Sequence, residues 1–239
     1  MIYVYFSCSK DERMLAESVK RLRDVEPNAV VYVAIDERDR AHVPEGCKAA
    51  RTQYDRGGTG TGLAAVEGEL MTMQYILAAE KADYIVKIDS DIWPNNTSSL
   101  QRFDGTVEPD FLGYEAPTML QPLGCVYRLS KWAVNAALEE VRTRWRNRAW
   151  KQGLTYSEAL TIYRLICLEP TLRVQLMPHA GHSLVGMHDD GYMNNPRAHV
   201  ADFVHCGEPL HDGSKVCREH AFTRMALLKA ESEKLERDE

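Results

Sequence analysis

Two aspartates, Asp89 and Asp91, directly follow the apolar segment 84–88 and are separated by one serine. Alternate side chains of an extended strand point to the same face, so we expect both carboxylates on one side, with Cα atoms about 6 to 7 Å apart. Two like charges about 4 Å apart repel by roughly 1 kcal/mol in water and by about 4 kcal/mol at an effective dielectric of 20. A divalent cation removes this repulsion, and oxygen ligands favour Mn²⁺ or Mg²⁺. The pair therefore predicts a metal site.

Lys87 offers an alternative explanation for these acids, because it lies two residues before Asp89 and shares its face of the predicted strand. In that alternative Lys87 neutralises Asp89 in a surface ion pair worth about 0 to 1 kcal/mol, and no metal binds. One lysine does not offset two acids, so we favour the metal. Lys87, Asp89 and Ser90 are then predicted to contact the bound ligand.

The segments before the aspartates predict a βαβ unit followed by a second helix and strand. Apolar, β-branched runs without alternation indicate strands buried on both faces, and apolar residues at helical spacing indicate the helices. Asp89 and Asp91 are thereby expected at the carboxyl end of a parallel strand, where open α/β sheets bind ligands. The strands are predicted over 2–8, 29–35 and 83–89, and the helices over 11–23 and 64–80.

Residues 37–62 are predicted to be a loop that ends in the glycine-rich run 56–62. This run lacks the Gly-Lys-Ser/Thr ending of a phosphate-binding loop and does not directly follow a strand. We expect a loop that closes over a ligand, with a passive linker as the alternative.

The second half of the chain predicts further strands and helices of the same domain. Ser130 is a polar residue suited to cap a long helix, and Thr155 or Ser157 to open another. Residues 178–214 are rich in His, Gly, Asn and Pro and are predicted to be a functional loop. The predicted strands are 110–115, 124–129 and 172–177, and the predicted helices run from 131 to about 148, from 155 or 157 to 168, and over 216–239.

The composition is that of a globular enzyme-sized domain. The chain has 239 residues, is 44% hydrophobic and carries a formal charge of −6, which argues against a basic module that coats nucleic acid. No stretch approaches the roughly 20 apolar residues of a membrane-spanning helix, and the start resembles no signal peptide. The six cysteines form no CxxC pair, so we expect reduced thiols and a cytoplasmic protein.

Three segments resemble those of the GT-A glycosyltransferases, and the resemblance covers about residues 1–206. KIDSDIW at 87–93 is similar to the strand and DxD signature of that family, and GCVYRLS at 124–130 to its GG-x-Y-x-L-S segment beneath the acceptor, with Cys125 in place of the second glycine. YSEAL at 156–160 is similar to its xED segment. The resemblance implies an α/β fold, with a Rossmann-type mixed, mainly parallel sheet flanked by helices.

The resemblance also implies a function, a metal-dependent transfer of a sugar from a nucleotide diphosphate donor to an acceptor hydroxyl. We expect a UDP-sugar as donor. Residues 1–215 would form one catalytic domain, with a nucleotide-binding half over 1–93 and an acceptor-side half over 94–215, followed by the C-terminal helix 216–239. Glu158 would be the general base, although an acid near a helix N-terminus is also an ordinary capping residue.

In such a site Asp91 binds the metal directly and Asp89 binds the metal, a metal-bound water or the ribose. A late histidine often completes the metal site, and we favour His205 because an apolar run delivers it to a strand end; the other candidates are His179, His182, His188 and His199. From topology, the base and ribose are expected near Ser7, Cys8 and Asp36, with Arg13, Gln53 and Arg56 as further candidate contacts.

The acceptor is left open by the sequence. Residues 142–151 carry five basic side chains and two tryptophans without an acid, a pattern that could bind the phosphates of a DNA acceptor bearing a hydroxylated base. The alternatives are a glycan acceptor and a merely solvated helix face. Two other functions would use the same half-domain, a nucleotidylyltransferase and a non-catalytic nucleotide-sugar-binding domain.

Overall fold

The computed structural model describes residues 1–7, 12–36, 42–52, 62–101, 103, 105–116, 119–146, 158–177, 184–186 and 202–205. The strands are β1 (Ile2–Ser7), β2 (Val30–Asp36), β3 (Lys48–Thr52), β4 (Tyr84–Asp89), β5 (Ile92–Pro94), β6 (Phe111–Ala116), β7 (Met119–Ser130), β8 (Val174–Met177), β9 (Leu184–Gly186) and β10 (Phe203–His205). The helices are α1 (Glu12–Val25), α2 (Gly62–Glu80), α3 (Lys131–Arg146) and α4 (Glu158–Ile166), and a 3₁₀ turn spans Ser98–Gln101.

Seven strands form the main sheet, in the order β3-β2-β1-β4-β7-β6-β8. The first four are mutually parallel, β7 is antiparallel to both of its neighbours, and β8 is parallel to β6. A second sheet has the order β5-β10-β9. The predicted mixed, mainly parallel α/β sheet is therefore confirmed.

Helices cover both faces of the main sheet. On one face α2, α3 and α4 pack against one another and enclose a core that includes Phe6, Ile85 and Tyr127. On the other face α1 and β5 cover a second core that includes Tyr5 and Ile88. Residues 2–6 of β1 are all buried, since their side chains enter both cores in alternation, which confirms a strand with two buried faces.

Two of the predictions about secondary structure are wrong in part. Residues 37–62 contain β3, an edge strand in which Ala50 is buried while Lys48 and Ala49 are exposed, so the apolar signal that marks a strand is nearly absent. Residues 178–214 contain β9 and β10, whose three residues each are too few for a periodic pattern. Residues 216–239 lie outside the described part of the chain.

The other predicted strands and helices in the described residues are confirmed. β4, which ends at Asp89, lies between β1 and β7 in the middle of the seven strands. Among the described residues, no helix is long and apolar enough to cross a membrane.

Candidate functional site

The two aspartates stand at the junction of the two sheets. β4 ends at Asp89, Ser90 and Asp91 form a turn, and Ile92 begins β5 of the second sheet. The expectation that both acids lie in one extended strand is therefore wrong, because the chain must leave the main sheet after Asp89 to enter the second sheet. The turn still buries Ser90 and Asp91, while the side chain of Asp89 is 21% exposed.

Lys87 forms an ion pair with Asp89. Its Nζ lies 2.6 Å from Asp89 Oδ1, as the shared face of the strand predicted. The predicted surface location is wrong, because the Lys87 side chain is only 4% exposed. Its ammonium lies 5.5 Å from the centroid of the Tyr127 ring. Tyr127 is the residue opposite Lys87 on β7. Lys87 is thus a buried cation between an aromatic ring and an acid of the site.

Tyr127 connects these polar side chains to helix α2. Its hydroxyl donates a hydrogen bond to Glu69 Oε1 on α2, and both side chains are fully buried. The Phe111 ring stacks on the Tyr127 ring at a centroid distance of 5.7 Å. Glu69 was not predicted from the sequence. A signal was present, since Glu69 occupies a core position in the helical spacing of Val66, Leu70 and Met73.

Cys125 on β7 is a buried thiol near both carboxylates. Burial raises the pKa of the Cys125 thiol well above its usual range, and the charges of Asp89 and Asp91 both raise it further, while Lys87 opposes them. Both carboxylates therefore lie close enough to the buried Cys125 thiol to raise its pKa.

The strand β10 brings His205 next to this turn. β10 runs antiparallel to β5, and His205 lies opposite Ile92, the residue after Asp91. Directly opposed residues of antiparallel strands have Cα atoms about 4.5 to 5.5 Å apart. The prediction that an apolar run delivers His205 to the end of a strand is confirmed, and its role as a metal ligand stays a prediction because its side chain is not described. The candidates His179, His182, His188 and His199 fall on residues that are not described.

The donor set at this junction suits a hard divalent cation. Carboxylate oxygens are ligands that suit Mn²⁺ and Mg²⁺, so Asp89 and Asp91 could hold such a cation. Among the described residues, no group of three or more His, Cys, Asp or Glu side chains is placed to hold a metal ion. The backbone of His205 lies at the same junction as the two carboxylates.

Two of the predicted nucleotide contacts, Ser7 and Asp36, lie at the carboxyl ends of strands next to β4 or one strand further along. Ser7 ends β1, Asp36 ends β2 and Asp89 ends β4, and these three parallel strands are neighbours in register, with Phe6 opposite Asp89. Their carboxyl ends therefore lie side by side at the end of the sheet where open α/β folds bind ligands. Arg13 lies exposed in the first turn of α1. The expected contacts Cys8, Gln53 and Arg56 lie outside the described residues.

Solved glycosyltransferases share this arrangement of sheet and helices. An active-site mutant of LgtC matches with a TM-score of 0.59 at 11% sequence identity, over 95% of this chain and 95% of that chain. The galactosyltransferase LgtC in complex with donor and acceptor sugar analogs gives a TM-score of 0.57 at 10% identity, over 94% and 95% of the two chains. The chain has a GT-A-like glycosyltransferase fold.

A viral protein extends this likeness. A glycosyltransferase involved in the glycosylation of the major capsid of PBCV-1 matches with a TM-score of 0.55 at 15% identity, over 95% of this chain and 98% of that chain. No protein-family model and no curated protein sequence matches the chain. At these sequence identities the likeness is one of fold alone.

In the GT-A-like fold of this chain, Glu158 is the first residue of α4, which packs against β7, α2 and α3. Its predicted place at the start of a helix is confirmed. The Glu158 side chain is not among those described, and its role as general base stays a prediction.

The junction between β7 and α3 also follows the prediction. Ser130 Oγ accepts a hydrogen bond from the Ala133 N–H at 3.0 Å, which is the predicted helix cap, and donates one to Asp110 Oδ1 at 2.5 Å. Further along α3, Arg142 Nε lies 3.6 Å from Glu67 Oε1 on α2. One residue of the predicted basic patch is thus engaged by an acid of the neighbouring helix, and 147–151 lie beyond the described residues.

Proposed function

We propose that this protein is a metal-dependent glycosyltransferase that moves a sugar from a UDP-sugar to an acceptor hydroxyl. The observation that carries the proposal is the placement of Asp89 at the carboxyl end of the parallel strand β4 and of the buried Asp91 in the turn after it, with β10 bringing the backbone of His205 alongside. The proposed ligands of Mn²⁺ or Mg²⁺ are Asp89, Asp91 and His205. The GT-A-like fold supports glycosyl transfer as the reaction class.

The proposal gives each of the residues at this end of the sheet a role. Lys87 fixes the orientation of Asp89 by contacting Oδ1 at 2.6 Å. Ser7 and Asp36 hold the base and ribose at the ends of β1 and β2. When bound, the cation supplies Lewis-acid stabilisation of the diphosphate leaving group. Glu158 removes the proton of the acceptor hydroxyl as general base.

For the acceptor we propose a glycan hydroxyl. Solved neighbours with this fold include one bound to donor and acceptor sugar analogs and one involved in the glycosylation of a viral capsid. A hydroxylated base in DNA is the alternative acceptor, and the pairing of Arg142 with Glu67 leaves less positive charge for it.

Cys47, Cys125 and Cys167 are free thiols, which supports the proposal that the protein acts in a cytoplasm.

The test is a screen of nucleotide sugars with Mn²⁺ and with chelator, followed by thermal shift and by release of nucleoside diphosphate. We expect UDP release from one UDP-sugar, raised by an acceptor glycan and abolished by chelator. Release of pyrophosphate from a nucleoside triphosphate and a sugar phosphate would identify a nucleotidylyltransferase instead. A thermal shift without turnover of any donor would identify a binding domain, and either result would overturn the proposal.

A further inference from the structure

Asp202 precedes β10 directly and is bonded to the segment that follows β5. Its backbone carbonyl accepts hydrogen bonds from the N–H groups of Asn95, at 2.8 Å, and Asn96, at 3.0 Å. Its carboxylate Oδ2 accepts a third from the Ser99 N–H, at 3.0 Å. Asp202 is buried, with 8% of its surface exposed, so these bonds are made away from bulk water. One residue thus ties the start of β10 to three positions of a separate segment.

The segment that receives Asp202 is itself anchored. Asn95 Oδ1 accepts a hydrogen bond from Trp93 Nε1 at 3.1 Å, and Asn96 Oδ1 accepts one from the Ser98 N–H at 2.9 Å. Ser99 Oγ lies 2.5 Å from the buried Tyr114 hydroxyl on β6 of the main sheet. Asp202 is therefore hydrogen-bonded to a segment that is itself hydrogen-bonded to the main sheet.

The pairing of β10 with β5 needs such an anchor. It consists of three residue pairs, Phe203 with Pro94, Val204 with Trp93 and His205 with Ile92, and the ladder of β10 with β9 is also three pairs long. A slip of one residue would turn every side chain of β10 to the opposite face of the small sheet. Three-residue ladders resist such a slip poorly, whereas the Asp202 bonds are lost as soon as β10 moves along β5.

We infer that Asp202 is a positioning residue of the proposed metal site, which sets the register of β10 and thereby keeps His205 opposite Ile92 and beside Asp91. The inference rests on the proposed function, since it concerns the same metal site. Asp202 acts through His205 and touches neither metal nor donor. What it supplies is an acceptor for the Ser99 N–H, and an asparagine amide oxygen can supply the same bond.

The test measures Mn²⁺ affinity by calorimetry in the presence of UDP, without turnover. Loss of a group that orients a metal ligand typically weakens metal affinity about 10- to 100-fold, and we expect this loss for Asp202→Ala. Asp202→Asn is the matched control and should stay within about threefold of wild type, since it keeps the acceptor. If Asp202→Ala does not fold, Asp202→Glu replaces it, since its longer side chain displaces the carboxylate, and the same loss is expected.

His205→Ala separates positioning from general destabilisation. If Asp202 acts through His205, the double variant Asp202→Ala/His205→Ala binds Mn²⁺ no more weakly than His205→Ala alone. Additive losses, or unchanged affinity in Asp202→Ala beside a strong loss in His205→Ala, would overturn the inference and leave the proposed function standing. Unchanged affinity in His205→Ala would remove His205 from the proposed metal site, and the inference with it. Donor turnover by the wild type reports on the proposed reaction separately.

Discussion

Replacement of the buried Lys87 by methionine tests the central ion pair of the site. Removing one partner of a fully buried pair costs roughly 3 to 5 kcal/mol, because the other charge is left uncompensated. Lys87 is 4% exposed, but Asp89 is 21% exposed and can regain part of its hydration. We therefore expect Lys87→Met to lower the free energy of unfolding by about 2 to 4 kcal/mol. At about 2 to 4 °C per kcal/mol, the melting temperature should fall by about 4 to 16 °C.

Lys48→Met is the matched control for this experiment. Lys48 Nζ lies 2.5 Å from Glu80 Oε1, nearly the same separation as in the Lys87 pair, but the Lys48 side chain is 54% exposed. Water screens the exposed pair, so its loss should lower the melting temperature far less. The two lysines thus differ mainly in burial.

The assay is urea and thermal unfolding of both variants, each with and without Mn²⁺. Mn²⁺ should restore part of the stability of Lys87→Met, since the cation replaces the lost positive charge beside Asp89 and Asp91, and should do nothing comparable for Lys48→Met. Equal losses in the two variants, or a loss below about 1 kcal/mol in Lys87→Met, would refute the claim that burial makes this pair strong.

Three further changes probe the proposed general base, the cap of α3 and the packing of the main sheet. Glu158→Gln should lower transfer by about 10²- to 10⁴-fold at unchanged donor affinity, measured by UDP release and calorimetry, and unchanged transfer would remove Glu158 as base. Ser130→Ala should cost about 1 to 2 kcal/mol in urea unfolding, since the Ala133 N–H loses its cap; a neutral result would contradict the capping role. Gly113→Ala should cost about 1 to 3 kcal/mol, because a Cβ there would lie 2.7 Å from the buried Phe111 ring, and a variant as stable as wild type would contradict that packing.

The main sheet could be predicted because its strands carry long apolar runs. β1, β2 and β4 are buried on both faces, and such strands stand out in the sequence. β3 does not, since an edge strand with one buried alanine leaves no such run. β9 and β10 are defined by pairing across the fold, which local sequence does not record.

The position of the two aspartates at a strand end could be predicted, but their local geometry could not. Asp91 lies in a turn because the chain changes sheets there, and the backbone of His205 reaches the same junction through β10. The burial of Lys87 depends on Tyr127, which lies opposite it on a strand 40 residues away in sequence. Asp202 is remote from Ser99 in sequence as well, so its bond to that residue could not be inferred from spacing.

Binding of Mn²⁺ together with UDP is the most direct test of the proposed site. Ligand at about 100 times its dissociation constant stabilises a protein by about 2.7 kcal/mol, which corresponds to a rise of about 5 to 11 °C in melting temperature. We predict this rise for the wild type and for Asp83→Asn, whose exposed acid lies just before the start of β4. Asp91→Ala should show no rise. Equal rises in all three proteins would contradict a metal and nucleotide site at Asp91.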